Sequence, residues 1–205
     1  MSYATIDDLR SHLGGAPKQS PEYIAKMMHP FPKATAVDRA AFILGHCTGK
    51  RVLEFGASGA LHDRIVAAAE ITLGIDRIDA VGVYGFDLDD VQQEYLVPAA
   101  ARGYRPEIVI CGEVLEHLSN PGWFLARINR HYAGVPVILT VPNAFSSAGY
   151  KWALKGIENV NADHVAWYSP KTLSVLLERA GYAVGGLFYY GGDGPTAEGL
   201  IVVTE

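Results

Sequence analysis

Cysteine, basic charge and long apolar runs are all scarce in this sequence, and each shortage removes a class of function. Cys47 and Cys111 are the only cysteines. They lie far apart and form no Cys-x-x-Cys, so neither a disulfide framework nor a zinc–thiolate centre is expected. A reducing, cytoplasmic setting is the simplest compartment for such a chain. Acidic residues outnumber basic ones, 22 to 17, for a net charge of −5, and the lysines and arginines are scattered. That distribution leaves no electrostatic footprint for nucleic acid. No apolar stretch approaches the roughly 18 residues needed to cross a bilayer. The segment Met1–Arg10 lacks the apolar core of a secretory leader. Internal repeats and low-complexity tracts are absent too.

What is present is an ordinary globular composition. Of 205 residues, 49% are hydrophobic and 19% charged, enough for one domain with a substantial core. Residues 1–36 read as an appendage. Gly14-Gly15, Pro17, Pro21, Pro30 and Pro32 break it into pieces, with short helices expected at Thr5–Leu13 and Glu22–Met28. From residue 37 to 205 strands and helices alternate. Helices are expected at Val37–His46, Leu61–Ala69, Val91–Ala101, Pro121–Tyr132 and Pro170–Ala180, the last closed by Gly181. Strands are expected at Arg51–Phe55, Glu70–Ile75, Val81–Phe86, Ile108–Cys111 and Val137–Val141. Leu187–Tyr190 and Leu200–Val203 follow one another without a helix between them. The fold class is therefore α/β: a Rossmann-like, seven-stranded, mostly parallel sheet with helices on both faces and an antiparallel C-terminal edge. In such sheets ligands bind beyond the carboxyl ends of the strands.

The first strand runs into Glu54-Phe55-Gly56-Ala57-Ser58-Gly59-Ala60. Small residues there let backbone approach a ligand, and the next helix offers free N–H groups. Asp76, followed by Arg77, ends the second strand about 20 residues after that turn, where a carboxylate can take both hydroxyls of a ribose. Asp87-Leu88-Asp89 follows the third strand, and Asp87 or Asp89 is placed to accept from an adenine amino group. The set describes a nucleoside cofactor. A dinucleotide uses the same logic, but the turn lacks G-x-G-x-x-G, and Glu54 would repel a pyrophosphate. An acid there suits a cationic amino group.

These residues resemble class I S-adenosylmethionine-dependent methyltransferases over about Arg51–Ala183. Val52-Leu53-Glu54-Phe55-Gly56 resembles the first motif of that family, and Gly74-Ile75-Asp76 the second. Glu113-Val114-Leu115-Glu116-His117-Leu118 with Pro121 resembles the segment after strand four in the ubiquinone-biosynthesis O-methyltransferases. Val141-Pro142-Asn143 resembles the end of strand five, and His164-Val165 with Tyr168-Ser169 the region before the last large helix. The resemblance implies S-adenosylmethionine as cofactor. It places Glu54 and Gly56, Ala57, Ser58 and Gly59 at the methionine end, Asp76 and Arg77 by the ribose and Asp87-Leu88 by adenine, with Glu113 beside them. One departure stands out: the glycines usual at alternate positions are here Gly56, Ser58 and Ala60, with an extra Gly59.

Methyl transfer from a sulfonium needs an aligned nucleophile and, for a hydroxyl, removal of its proton. His117 and His164 are the candidate bases. On a helix, Glu113 would share a face with Glu116 and His117, a set able to hold Mg²⁺; the resemblance implies a metal there in some relatives. Alternatively those residues cap a helix and line the pocket. Met27, Met28, His29 and Phe31 suit a lid, and Phe145, Tyr150, Trp152, Trp167 and Tyr168 offer aromatic walls. The expected activity is O-methylation of a small-molecule or oligosaccharide hydroxyl. A sugar is favoured on a resemblance to small bacterial sugar O-methyltransferases of the methylmannoside 1-O-methyltransferase type. A phenol or quinone precursor is the alternative acceptor, and a catalytically silent cofactor-binding scaffold the alternative from another class. A homodimer is compatible with all three.

Overall fold

The computed structural model describes residues 21, 26–90 and 92–205. The expected helix at Thr5–Leu13 and most of that at Glu22–Met28 lie outside these residues. Phe31–Glu205 form one compact unit, which begins ahead of the expected start at residue 37. The reason is pairing: Tyr189 N donates to Thr35 O, and Val37 N to Tyr189 O.

Seven strands make one sheet: β1 (Arg51–Phe55), β2 (Ile71–Asp76), β3 (Val83–Gly85), β4 (Ile108–Gly112), β5 (Val137–Pro142), β6 (Val184–Tyr190) and β7 (Gly199–Thr204). Their spatial order is β3-β2-β1-β4-β5-β7-β6. All pairs are parallel except those of β7, which runs antiparallel to both β5 and β6. The central strands are nearly continuous apolar runs because helices cover both faces. The α/β architecture and its antiparallel edge are as the sequence implies.

The strand period of two sorts side chains between two cores. On one face Val52, Ile108, Ile110, Ile138 and Ile201 meet α1 (Arg39–Cys47) and α2 (Gly59–Ala68). On the other, Leu53, Phe55, Val109, Cys111 and Leu139 meet α3 (Pro121–His131) and α5 (Pro170–Arg179). The helix starts follow local chemistry. Asp38 caps α1 through Ala41 N, Asn120 caps α3 with Pro121 in its first turn, and Ser169 and Thr172 form a capping box on α5.

Two expectations fail. Val91–Ala101 is not a helix: the described part is irregular, with one 3₁₀ turn at Ala99–Ala101. Pro98 cannot sit inside a helix, and the Asp90 side chain takes Gln92 N and Gln93 Nε2 instead. Nor is the stretch Asn143–Asn161, for which the sequence suggests neither strand nor helix, all loop. Ser146 caps a short helix, α4 (Ser147–Ala153).

Strand order reverses between β1 and β4, each neighbouring the other with its connections leaving to opposite sides. Phe55 is level with Ile75 on β2 and with Cys111 on β4. The loops leaving these three strands therefore open into one crevice.

Candidate active site

That crevice is a cleft of about 1080 Å³. Its walls include Glu54, Gly56, Ala57, Ser58, Gly59, Asp76, Arg77, Asp87, Leu88 and Glu113, so every residue the sequence suggested for the cofactor borders one space.

The turn after β1 takes its shape from two glycines. Gly56 has φ +79°, and a Cβ there would stand 2.6 Å from Val114 Cγ2. Gly59 has φ +68°. Ser58 is extended and Ala60 is helical, conformations open to any residue. Glycine is thus kept where the backbone is left-handed, and the missing alternate glycines fall where nothing requires them. Gly56 N and Ala57 N both donate to Ile75 O, which ties the turn to β2. Ser58 makes no side-chain cap on α2, so Gly59 and Ala60 reach the cleft with the first N–H groups of the helix uncapped by it.

Glu54 lies on the same face of β1 as Val52 and so points toward α2, where His62 occupies the first turn. Their side chains meet at 2.7 Å between Glu54 Oε2 and His62 Nδ1, both buried. Burial pushes the Glu54 carboxyl up, and the bond to His62 and its charge offset only part of that rise. His62 borders the cleft and was not identified from sequence. Its signal was available: eight residues beyond Glu54, across a strand–turn–helix, a first-turn side chain faces back to the strand.

Asp76 closes β2 and borders the cleft. Asp87 turns its Oδ1 to Asp89 N at 2.9 Å. The two oxygens of Asp89 accept from Ser119 N at 2.8 and 3.0 Å. Both candidates for adenine border the cleft, and Asp89 also braces the loop after β4.

The segment after β4 departs from the sequence reading. Glu113 is not helical. It has φ +55° and is the one non-glycine residue with positive φ among those described. Helical spacing therefore does not bring it onto a face with Glu116 and His117, which sit in a 3₁₀ turn at Leu115–His117. Instead Glu113 Oε1 accepts from Thr140 Oγ1 at 2.8 Å and from the Tyr190 hydroxyl at 2.9 Å. Burial and the Glu113 charge push the Tyr190 phenol up, which keeps it a donor. Gly199 leaves room for the Tyr190 ring, since a Cβ there would overlap it.

The group that does converge is Glu116, His117 and His164, with one ligand-type atom from each lying within 4.8 Å of the others. His117 and His164 meet edge to face, with ring centroids 4.5 Å apart. Both Glu116 oxygens and His164 Nδ1 are buried without a hydrogen-bond partner among the described residues. Burial, and then the charge of Glu113, raise the Glu116 carboxyl to about 8. Burial, and then His117, lower His164. His117 carries the cluster into the cleft, which Glu116 and His164 do not themselves border.

Asp163 joins the two sides. Its Oδ1 lies 3.2 Å from His117 Nδ1, and its Oδ2 accepts from Arg77 at 3.1 Å. Burial is the largest single influence on Asp163 and raises its carboxyl, but His117, a backbone hydrogen bond and Arg77 together hold it low. Sequence placed Asp163 beside His164; the fold pairs it with His117. The thiols of Cys47 and Cys111 are buried, and burial raises both, Cys47 to about 12. Among the described residues no helix is long and apolar enough to cross a membrane.

Comparison with known proteins agrees with this architecture. A methyltransferase domain family model matches residues 27–185. No curated protein matches the sequence. Solved structures share the fold at low identity. The small RNA methyltransferase HEN1 superposes with a TM-score of 0.64 and 17% identity over 82% of this chain, which spans only 24% of HEN1. The 1,6-didemethyltoxoflavin-N1-methyltransferase of Burkholderia thailandensis, solved with S-adenosylhomocysteine, gives 0.56 and 12%, covering 80% of this chain and 75% of its own. An S-adenosylmethionine-dependent methyltransferase from Aquifex aeolicus gives 0.56 and 15%, covering 91% of this chain and 98% of its own. With its family motifs lining one cleft at the switch point of a seven-stranded sheet, the chain belongs to the methyltransferase domain family, as a class I S-adenosylmethionine-dependent methyltransferase.

Proposed function

We propose that this methyltransferase is an O-methyltransferase, acting on a hydroxyl of a small acceptor such as a sugar or oligosaccharide. The observation that carries this reading is the Glu116–His117–His164 cluster at the edge of the cofactor cleft. An amine that reaches the site neutral already carries the lone pair that attacks, and so depends less on such a group. A hydroxyl must lose its proton before or as it attacks the sulfonium methyl carbon.

The cluster also fits a divalent cation. Its carboxylate and two imidazoles are of the right type, and Glu116 and His164 present buried polar atoms that nothing in the described chain satisfies. Glu116, His117 and His164 would hold the ion, and Asp163 would orient His117 through Nδ1, as carboxylates do for metal-bound histidines. Glu113 falls outside that set. Two nitrogens and one oxygen suit a first-row transition ion better than Mg²⁺, which prefers oxygen. A bound ion supplies Lewis-acid polarisation of the acceptor hydroxyl. The chain's own part is to hold His117 rigid against Asp163, to keep the acceptor side apart from the ribose, and to exclude water around the buried Glu116.

The test is a methyl-transfer screen with S-adenosylmethionine against sugars, phenols, amines and a short RNA, each with Mn²⁺, Mg²⁺ or EDTA. Turnover on a sugar that is stimulated by Mn²⁺ and lost in EDTA supports the reading. Turnover on amines alone overturns O-methylation, and turnover on phenols or RNA alone overturns the sugar. Sugar methylation unaffected by EDTA replaces the metal with His117 acting as a base oriented by Asp163.

A further inference from the structure

We propose that His62 is a positioning residue for the methionine end of S-adenosylmethionine: its imidazole fixes the Glu54 carboxylate so that the second oxygen receives the cofactor's α-ammonium group. This rests on the family's cofactor and not on the acceptor reading.

Three observations converge. First, His62 Nδ1 holds Glu54 Oε2 at 2.7 Å, while Glu54 Oε1 has no hydrogen-bond partner among the described residues. Glu54 nevertheless borders the cleft. One oxygen is spoken for and the other is available. Second, the imidazole has a seat built for it. It packs over Gly74 of β2, where a Cβ would stand 3.1 Å from His62 Cε1 and 2.9 Å from the Ala57 Cβ. A side chain at residue 74 would displace both the ring and the cofactor turn. Third, the charges around Glu54 need a counterweight. Glu54 is 4% exposed, and burial and the neighbouring Asp76 both favour its neutral form. A neutral acid would offer the ammonium a hydrogen bond without an ion pair. The bond from His62 opposes both influences and favours the carboxylate, the partner a buried charge requires.

The role is separable from general support of the turn by comparing two ligands. S-adenosylhomocysteine carries the amino acid. 5′-Methylthioadenosine keeps the adenosine and sulfur but lacks the ammonium and carboxylate. Calorimetric titration of both into the full chain, unsubstituted and as His62→Phe and His62→Leu, gives a ratio of affinities for each protein. Both substitutions keep apolar volume and remove the donor, so either one serves if the other does not fold. Loss of a charge-assisted contact should weaken S-adenosylhomocysteine about tenfold while methylthioadenosine changes less than about twofold. An unchanged ratio overturns the proposal, whether both affinities hold or both fall together, because His62 would then be decoration or mere scaffolding.

Discussion

The two halves of the cleft are built from different material. Under β1, β2 and β3 the cofactor side is largely backbone and short side chains: left-handed Gly56 and Gly59, the first turn of α2, and carboxylates at strand tips. Under β4 and β5 the acceptor side is side chains brought from far apart in sequence. Glu113 is held by Thr140 and Tyr190, and His117 meets Asp163 and His164. A backbone site is rigid and suits a ligand that never changes. A side-chain site can be re-specified one residue at a time, which suits an acceptor that differs among relatives.

The contrast can be broken by substitution, because damage on one side should leave the other working. The largest effect is expected from His117→Ala, which should lower kcat by about 10²–10⁴-fold while S-adenosylhomocysteine affinity stays within about twofold, read by initial rates and calorimetry. A parallel fall in cofactor affinity would mean the halves are not separable. Asp76→Ala is the reciprocal experiment. It should weaken S-adenosylhomocysteine by about 10–100-fold, the worth of hydrogen bonds to a charged group, with the melting temperature little changed. Unchanged affinity would remove Asp76 from the ribose. Asp163→Asn should have an effect of similar size, about 10–100-fold in metal affinity or turnover, as losses behind a metal-bound histidine do; its decisive readout is metal binding by calorimetry, which should fall with cofactor binding intact.

The smallest effect sharpens the contrast through pH. Folding raises the Glu116 carboxyl from an ordinary value to about 8. The folded chain therefore holds a proton that the unfolded chain has already released above about pH 4.5. The contribution of Glu116 to stability is complete below that pH and is lost progressively as pH rises toward 8. Metal-free protein should melt a few degrees lower at pH 8 than at pH 5 on this account, and Glu116→Gln should flatten that part of the slope. Mn²⁺ should bind more tightly as pH rises through the same window, since the ion takes the deprotonated carboxylate. A slope unaltered by Glu116→Gln would place the titrating group elsewhere.

Legibility in the sequence follows the same division. Backbone-built features have local signals. Val52 to Phe55 before a small-residue turn, and Gly74-Ile75-Asp76, mark strand tips whose neighbours are settled by the parallel register. The residues suggested for the cofactor border one cleft because each lies within a few residues of a strand end. Glu113 was misplaced because helical spacing was assumed where the chain enters the left-handed region, and spacing cannot report φ. The pairing of Asp163 with His117 spans 46 positions, and no local pattern encodes it. The helix expected over Val91–Ala101 failed to a competing local force, the Asp90 side chain with Pro98. His62 was legible in principle, had the face of β1 been followed through to α2.

The strand order β5-β7-β6 has a consequence for how this molecule comes into being. During synthesis β6 emerges before β7, yet its place in the sheet is beyond β7. Until β7 forms, β6 can pair only with the segment Thr35 to Val37, and nothing joins it to β5. Tyr190, at the end of β6, is also the residue that reaches across to Glu113. The acceptor half of the cleft is thus completed by late, non-local pairing, which contact order makes slow. A chain that stops before Gly199 still carries every residue from Glu54 to Asp89, yet β5 and β6 lose the strand that joins them.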